Sequence, residues 1–213
     1  MTLLTATDRP NRWAFFRQWL KNPMDVAAVS PSSSQLAKQM IAALPPQSTR
    51  LIELGGGTGA ITERLLRHNP APTDLMVLEL NESMHQTLRQ RFPNIRLHLA
   101  NAVDVHRVAR SSGFLDAGLA DAVVSGLGLL SMPKPLQREI VGEAFACLRP
   151  DGRFVQFTYG PASPIVREVL EDLQLGARRV SFTWWNVPPA TVYVYERLHS
   201  QAVPAQSMRR RAG

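Results

Sequence analysis

Short apolar runs alternate with amphipathic stretches through the middle of the chain, which is the pattern of a parallel sheet flanked by helices. The apolar runs predict five strands, at 50–54, 74–80, 95–99, 121–125 and 153–159. The amphipathic stretches predict helices at 60–67, 133–148 and 165–175. Asn81 is placed to cap another helix after the second strand, and the turn signal Arg149-Pro150-Asp151-Gly152 ends the helix before the fifth strand.

The last part of the predicted sheet differs from the rest. Two alternating runs, 180–185 and 191–198, are joined through Pro188 and Pro189 with no room for a helix between them. Strands joined so closely pair in antiparallel fashion, so we expect a hairpin at the end of the sheet. The predicted fold class is therefore α/β, with a doubly wound, seven-stranded, mostly parallel, Rossmann-like sheet that ends in an antiparallel hairpin.

Composition fits one globular domain in a reducing compartment. The chain has 213 residues, 45% of them hydrophobic, which is enough for a sizeable core. Cys147 is the only cysteine and the five histidines lack metal-ligand spacing, so neither a disulfide nor a metal site is expected. No apolar run suits a membrane span or a signal peptide. We expect one cytoplasmic domain over 1–213, with N-terminal helices in 8–44, a core in 48–198 and a basic tail in 199–213.

The charge of the chain indicates an anionic partner. There are 24 Lys and Arg against 17 Asp and Glu, a net charge of +7, and Arg209-Arg210-Arg211 supplies part of it. Such a balance favours contact with nucleic acid or with a membrane surface rich in acidic lipid. The same excess also occurs on surfaces that are merely solubilising, and charge alone does not choose between these readings.

A glycine-rich segment after the first strand is the clearest candidate for a cofactor site. Residues 53–59 read Glu-Leu-Gly-Gly-Gly-Thr-Gly, between a strand and the start of a helix. Glycines allow a tight turn and a close approach of a ligand, and the helix N-terminus offers free N–H groups. With Ala60 the spacing also fits the dinucleotide pattern, so the glycines alone do not separate a dehydrogenase from a methyltransferase. The residues assigned to the cofactor here are Glu53, Gly55, Gly57 and Gly59.

Three further positions extend this site. Glu79 ends the second strand, where a carboxylate can accept hydrogen bonds from both ribose hydroxyl groups of a cofactor. Asn101 and Ala102 follow the third strand, where the adenine ring is expected to lie. Because Glu53 precedes the glycines on the strand itself, and because a dinucleotide fold has no counterpart of the hairpin, we expect S-adenosylmethionine, with S-adenosylhomocysteine as product.

Five segments, in order along the chain, carry a family resemblance: 26–33, 53–59, 123–130, 157–161 and 186–193. Together they resemble the small bacterial phospholipid N-methyltransferases, class I S-adenosylmethionine-dependent enzymes that make phosphatidylcholine from phosphatidylethanolamine. The likeness covers nearly the whole chain and departs in two places. Gly128 stands where the family usually has proline, and Asn101 where it usually has aspartate, so a looser substrate loop and weaker adenine binding are expected.

The acceptor is expected beside the ends of the fourth and fifth strands. Tyr159 ends the fifth strand and is our candidate catalytic residue, because it can orient the amine or accept its proton. Packing under a loop is nearly as common a role for such an aromatic residue. Two arginines are placed to meet the lipid phosphate or to form an ordinary solvated pair. The substrate residues assigned here are Ser125 (which also borders the cofactor), Gly126, Leu127, Tyr159, Arg178 and Arg179.

The segment before the sheet predicts an amphipathic helix. Bulky aromatic side chains fall on one arc of it and basic ones on the other, which suits a helix lying in an anionic membrane interface. A helix packed on the domain is the ordinary alternative. The residues assigned to the membrane are Trp13, Phe15, Phe16, Arg17, Trp19, Leu20 and Lys21. With this helix the protein would lie on the inner face of the bacterial cytoplasmic membrane.

The resemblance implies methylation of phosphatidylethanolamine at a membrane surface, through mono- and dimethyl intermediates to phosphatidylcholine. Two alternatives stay open. An rRNA adenine N6-methyltransferase shares the fold and a basic surface, but its acceptor segment carries a stacking aromatic residue that Ser125 to Gly128 lack, so no nucleic acid partner is expected. The other is a non-catalytic lipid-binding protein of the same fold, and measured cofactor binding would count against it.

Overall fold

The computed structural model describes residues 31–68, 70–159, 161–183 and 189–198. The predicted membrane helix, the tip of the predicted hairpin and the basic tail lie outside these ranges. Within the described ranges, no helix combines the length and the apolar character that crossing a membrane requires.

A sheet of seven strands organises the described residues. The strands are β1 Arg50–Leu54, β2 Asp74–Glu79, β3 Arg96–Leu99, β4 Ala120–Ser125, β5 Leu148–Tyr159, β6 Leu175–Thr183 and β7 Ala190–Arg197. The helices are α1 Pro31–Ala42, α2 Ala60–Leu66, α3 Glu82–Arg91, α4 Val105–Ser111, α5 Lys134–Cys147 and α6 Arg167–Asp172. Short 3-10 turns complete the connections at Ala102–Asp104, Phe114–Ala117 and Leu129–Ser131.

The strand order is β3-β2-β1-β4-β5-β7-β6. Strand β1 pairs in parallel with β2 and β4, and β4 pairs in parallel with β5. Strand β7 lies between β5 and β6 and is antiparallel to both. The predicted doubly wound, seven-stranded sheet with a terminal antiparallel hairpin is therefore confirmed. Asn81 caps α3 as predicted, since its side chain accepts a hydrogen bond from the Met84 N–H at 3.1 Å.

Apolar side chains cover both faces of the sheet, which explains why the central strands read as nearly continuous apolar runs. One face, which includes Ile52, packs against α4, α5 and α6. The other face, which includes Leu51, packs against α1 and α2. Neighbouring residues of one strand therefore belong to different cores, and this alternation decides which side of the sheet each site residue reaches.

The sequence predicts a turn at Arg149 to Gly152, with the fifth strand beginning after it. This prediction is wrong, because these residues belong to β5. Strand β5 starts directly after α5, and its pairing with β4 then slips between Leu148 and Arg153. The residues in between bulge out of the ladder, which suits Pro150, since proline has no N–H to donate. A Cβ on Gly152 would lie 3.0 Å from a backbone carbonyl oxygen, so the bulge also favours glycine there.

The last predicted helix is too long. Helix α6 covers Arg167–Asp172, whereas the sequence pattern suggested 165–175. Gln174 adopts the left-handed conformation, with φ of 53°, which turns the chain out of the helix. Leu175 is buried and already begins β6, so this strand starts well before the predicted residue 180.

Helix α1 runs antiparallel to β5. Just beyond its end, the Ala43 carbonyl accepts a hydrogen bond from Arg153 near the start of the regular part of β5. One turn earlier, the Gln39 side chain accepts a hydrogen bond from the Ser181 hydroxyl. Strand pairing through β7 places Ser181 level with a part of β5 that comes after Arg153 in the chain. Pro31, at the other end of the helix, therefore lies at the edge of the sheet where the parallel strands end.

Asp121 links the start of β1 to the bulge in β5. Its Oδ2 accepts hydrogen bonds from the N–H groups of Thr49 at 2.7 Å and Arg50 at 2.9 Å. Its Oδ1 lies 2.9 Å from Nη1 of Arg149, and Asp121 is only 8% exposed. We expect Asp121→Ala to lower the free energy of unfolding by about 3 kcal/mol, because it removes a buried carboxylate that two partly buried N–H groups and Arg149 share. Urea unfolding measures this loss.

Asp151→Ala is the matched control for this substitution. Asp151 also pairs with Arg149, at 3.1 Å, but its side chain is 69% exposed. An exposed ion pair contributes little, so we expect a change below about 0.5 kcal/mol. Equal losses in the two variants would contradict the role of Asp121.

Candidate functional site

The crevice where the strand order reverses is the candidate site. Strand β1 has β2 on one side and β4 on the other, and doubly wound sheets bind ligands at the carboxyl ends of strands beside such a switch point. Two loops meet there. The loop after β1, residues 55–59, is called the cofactor loop below, and the loop after β4, residues 126–132, is called the acceptor loop.

The cofactor loop has the backbone conformation that its glycines predict. Gly55, Gly57 and Gly59 have φ angles of 76°, 53° and 83°, in the left-handed region that other residues rarely adopt. A Cβ on Gly59 would lie 2.6 Å from the ring of Phe92, whereas a Cβ on Gly57 would meet no atom within 4 Å. Gly59 is therefore needed for packing, and Gly57 borders open space where a ligand can approach the backbone.

Glu79 is held in place by the backbone on both sides. Its Oε2 accepts a hydrogen bond from the Gly57 N–H at 2.8 Å, and its Oε1 accepts one from the Asn81 N–H at 2.7 Å. Each carboxylate oxygen can accept a second hydrogen bond, so both remain able to receive ribose hydroxyl groups. The structure thus brings the predicted Glu79 to the cofactor loop and fixes its orientation.

An apolar surface beside Glu79 includes a residue that the sequence analysis missed. Leu80 follows Glu79 directly and is 66% exposed, a high value for a large apolar side chain. At the end of the adjacent β3, Ala102 is buried, while the exposed Asn101 accepts a hydrogen bond from the Val103 N–H at 3.3 Å. We therefore expect an adenine ring to pack on Leu80 and Ala102. The signal in the sequence is a leucine immediately after a strand-end acid.

Glu53 occupies the buried floor of the site. It is fully buried on the face of the sheet that packs against α2, and its Oε2 accepts a hydrogen bond from the Thr62 hydroxyl at 2.7 Å. Its Oε1 is buried and has no hydrogen-bond partner. Burial raises the pKa of Glu53 from 4.5 to about 8, with a smaller contribution from the charge of Glu79. An acid with one free acceptor atom fits a cofactor that carries an N–H group.

The two loops touch through glycines. The Gly126 N–H donates to the Leu54 carbonyl at 2.8 Å, and a Cβ on Gly126 would lie 2.8 Å from the carbonyl oxygen of Gly55. In the other direction, a Cβ on Gly55 would lie 2.9 Å from the Leu127 side chain. Gly126 and Leu127 were assigned to the substrate from their place at the end of β4. The structure adds that Gly126 lets the acceptor loop approach the cofactor loop.

Ser125 and Tyr159 share the carboxyl edge of the sheet but not a face. Ser125 is fully buried, and its Oγ accepts a hydrogen bond from the Leu127 N–H at 3.3 Å. It is in register with Gln156, so Tyr159, three residues further on, points to the opposite face. There the Tyr159 ring lies 5.5 Å from that of Phe157, and burial raises the pKa of the Tyr159 hydroxyl.

The two arginines assigned to the lipid phosphate lie apart from these residues. Both are exposed on β6, at the edge of the sheet. Arg179 is in the same row as Ser125, but the three strand spacings between them amount to roughly 14 Å. Arg178 points to the opposite face, so the structure does not bring the pair together with the acceptor loop.

The residues around the cofactor loop fit an adenosyl cofactor: a carboxylate for ribose, an apolar surface for adenine, open space at Gly57 and a buried acceptor atom on Glu53. Within the described part of the chain, no three His, Cys, Asp or Glu side chains are grouped so that they could hold a metal ion.

Comparison with known proteins gives the same picture. A family model described as a methyltransferase domain matches residues 51–152. The ornithine lipid N-methyltransferase of Singulisphaera acidiphila is 31% identical over 185 residues, which is 84% of this chain and 92% of that protein.

Solved structures share the fold at low identity. The magnesium protoporphyrin IX methyltransferase of Synechocystis PCC 6803, solved with S-adenosylmethionine bound, superposes with a TM-score of 0.61 at 11% identity, over 91% of this chain and 100% of that one. The O-methyltransferase TomG of Streptomyces achromogenes, also in complex with S-adenosylmethionine, gives 0.60 at 19% identity, over 92% of each chain.

Replacing Glu79 by Gln tests the ribose site. A glutamine has one acceptor oxygen where the carboxylate has two, so it cannot receive both backbone N–H groups and both ribose hydroxyls. We expect the Kd for S-adenosylmethionine to rise about tenfold or more, measured by titration calorimetry, in line with the loss of a charge-assisted hydrogen bond. Glu82→Gln, at an exposed position on α3, is the control, and an equal change in both variants would contradict the assignment.

Replacing Glu53 by Gln tests the buried acid. The pKa of Glu53 is about 8 in the folded protein, above the ordinary 4.5. Between pH 4.5 and about pH 8, the folded protein therefore keeps a proton on Glu53 that the unfolded chain has released. The contribution of Glu53 to stability should therefore fall as pH rises from 4.5 to about 8, and should change no further above that pH. We expect the wild type to lose about 2 kcal/mol more than Glu53→Gln between pH 6 and pH 9, measured by urea unfolding. The exposed Glu139→Gln should follow the wild type, and parallel curves for all three would refute the prediction.

Proposed function

Because this chain belongs to the class I S-adenosylmethionine-dependent methyltransferases, we propose that it transfers the methyl group of S-adenosylmethionine to the amine of a membrane lipid. The proposed acceptor is phosphatidylethanolamine, methylated through mono- and dimethyl intermediates to phosphatidylcholine. One observation carries the proposal: the relative that is 31% identical over 92% of its length is a lipid N-methyltransferase.

The acceptor loop supports an amine acceptor rather than a flipped base. Base methyltransferases stack an aromatic side chain on the extruded base, and the residues from Ser125 to Gly128 include none. The five segments that resemble phospholipid N-methyltransferases include this loop and the end of β5 at Tyr159. Both therefore belong to the proposed acceptor site.

The chemistry requires a neutral amine held in line with the methyl group. The bound cofactor supplies a methyl group on a sulfonium, and holding the amine in near-attack geometry provides much of the acceleration. An ammonium must first lose its proton, because it has no lone pair. Since burial raises the pKa of Tyr159, its hydroxyl stays protonated at neutral pH, and we propose that its oxygen orients the amine.

We also propose that the protein works at the surface of an anionic membrane, on the inner face of the bacterial cytoplasmic membrane. Two features support this. The net charge is +7, and Pro31 lies at the edge of the sheet where the site is found. The segment with Trp13, Trp19 and Lys21 comes shortly before Pro31 in the chain. A membrane helix there would bring lipid headgroups to the site without extraction of the lipid.

Ornithine lipid is the second candidate acceptor, because the relative named for that substrate covers 84% of this chain. The two candidates share the reaction and the cofactor. They differ in the lipid that presents the amine, so one assay with both lipids separates them.

The test is methyl transfer from labelled S-adenosylmethionine to vesicles of phosphatidylethanolamine, with and without an anionic lipid, and to vesicles of ornithine lipid. We expect mono-, di- and trimethylated products from phosphatidylethanolamine, with a rate that rises several-fold with anionic lipid, since basic residues bind such surfaces. Glu79→Gln is the control for dependence on the cofactor site, and its rate should fall at limiting cofactor.

Each other outcome has a definite meaning. If ornithine lipid is methylated and phosphatidylethanolamine is not, the acceptor is ornithine lipid. Binding of S-adenosylmethionine without any lipid product would exclude lipid methylation. A rate that does not depend on anionic lipid would exclude the proposed role of the N-terminal segment.

A further inference from the structure

A buried glutamine joins the two segments that form the proposed acceptor site. Gln137 lies in the first turns of α5 and is only 1% exposed. Its Nε2 donates to two carbonyl groups of the acceptor loop, that of Leu129 at 2.9 Å and that of Met132 at 3.2 Å. Its Oε1 accepts a hydrogen bond from the N–H of Val166 at 3.0 Å. Every hydrogen-bonding atom of this side chain is therefore used.

The far end of this connection belongs to the chain that follows Tyr159. Val166 precedes α6, and the segment before it is held against β7 by two further hydrogen bonds. The Tyr193 hydroxyl donates to the Pro161 carbonyl, and the Ser163 hydroxyl lies 2.8 Å from that of Tyr195. Residues 161–166 are thus fixed to the hairpin, and Gln137 ties the acceptor loop to them.

A second glutamine holds the start of the same loop. Gln156 is fully buried on β5, in register with Ser125. Its Nε2 donates to the Leu127 carbonyl at 2.8 Å and to the Phe157 carbonyl at 2.7 Å. The two side chains together bind three carbonyl groups of a loop that contains Gly128, where the sequence predicted looseness. Neither glutamine was assigned a role from the sequence.

We propose that Gln137 is a positioning residue of the methyl-transfer reaction: it sets the acceptor loop relative to the segment after Tyr159, and so the place of the acceptor amine relative to the methyl group. The inference rests on the proposed amine acceptor. It follows from what the side chain joins, because an amide with both N–H groups on one loop and its oxygen on another fixes their relative position.

The geometry separates this role from ordinary stabilisation. The hydrogen bonds of Gln137 reach the acceptor loop and not the cofactor loop, which is held by Glu79 and by the Leu78 carbonyl instead. Loss of Gln137 should therefore misplace the acceptor and leave cofactor binding as it is. A displacement of about 1 Å in the acceptor is enough to slow transfer by up to a hundredfold.

Gln137→Met removes all three hydrogen bonds at nearly constant volume. Val141→Ala is the matched control, because Val141 is fully buried one turn further along α5 and contacts no loop carbonyl through a side-chain hydrogen bond. We expect Gln137→Met to lower kcat for the lipid acceptor at least about tenfold, with the Kd for S-adenosylmethionine within twofold of wild type. Val141→Ala should lower the Tm comparably and leave kcat within about twofold.

Gln137→Glu separates the two ends of the connection. A glutamate side chain keeps an acceptor for the Val166 N–H but, whether ionised or protonated, cannot donate to both loop carbonyls, so kcat should fall in this variant also. The positioning role is refuted if both variants, Gln137→Met and Val141→Ala, lose the same amount of kcat for each degree of lost Tm. It is also refuted if Gln137→Met changes the Kd for the cofactor instead of kcat.

Amide hydrogen exchange in the wild type tests the connection without any assay of activity. The Val166 N–H should exchange slowly because Gln137 accepts its hydrogen bond, and Gln137→Glu should keep that protection. Rapid exchange in the wild type would overturn the proposal. A wild type that methylates no lipid would refute the proposed function, whereas a wild type that is active and a Gln137→Met that behaves like Val141→Ala would refute only the role of Gln137.

Discussion

The loops that follow β1 and β4 can lie so close together because Gly55 and Gly126 have no side chains. A methyl group on either would come within 3 Å of the other loop, at 2.8 Å from a carbonyl oxygen or 2.9 Å from Leu127. In the proposed function one loop holds the methyl donor and the other holds the acceptor, and methyl transfer needs both at near-attack distance. The remaining contacts of the site act on these two loops, Glu79 from the β2 side and Gln156 from the β5 side.

The two carboxyl groups of the cofactor side have different surroundings and therefore different uses. Glu79 receives two backbone N–H groups, which hold its oxygens at the edge of the crevice. Glu53 is fully buried with a single hydroxyl partner, so its neutral form is favoured up to a pKa of about 8. A positively charged group near Glu53 would reverse that preference, because an opposite charge stabilises the carboxylate. If the cofactor places its ammonium group beside Oε1, its binding would favour loss of the Glu53 proton.

The sequence was sufficient for the fold and for the placement of Glu79 beside the glycine loop, because both depend on local spacing. Apolar periodicity located the strands, and the glycines and Glu79 stand at fixed distances from strand ends. What it missed depends on contacts between distant residues. Gln137 and Val166 are 29 residues apart, as are Gln156 and Leu127, and nothing near either glutamine distinguishes it from an ordinary polar residue. The bulge at Arg149 to Gly152 was read as a turn because its composition is that of a turn, while its place inside β5 is set by pairing with β4.

The difference between a cofactor side set by local spacing and an acceptor side set by distant contacts explains how methyltransferases of low identity can share a cofactor. The cofactor side needs only a few residues on β1 and β2, and the two solved methyltransferases described above bind S-adenosylmethionine at 11% and 19% identity. The proposed acceptor side is assembled from the ends of β4 and β5, from α5 and from the segment before α6, so its shape depends on side chains that the fold does not fix. Identity of 31% over most of both chains, as with the ornithine lipid enzyme, extends through that second half. A likeness of that extent therefore bears on the acceptor, whereas a likeness confined to the glycine loop bears only on the cofactor.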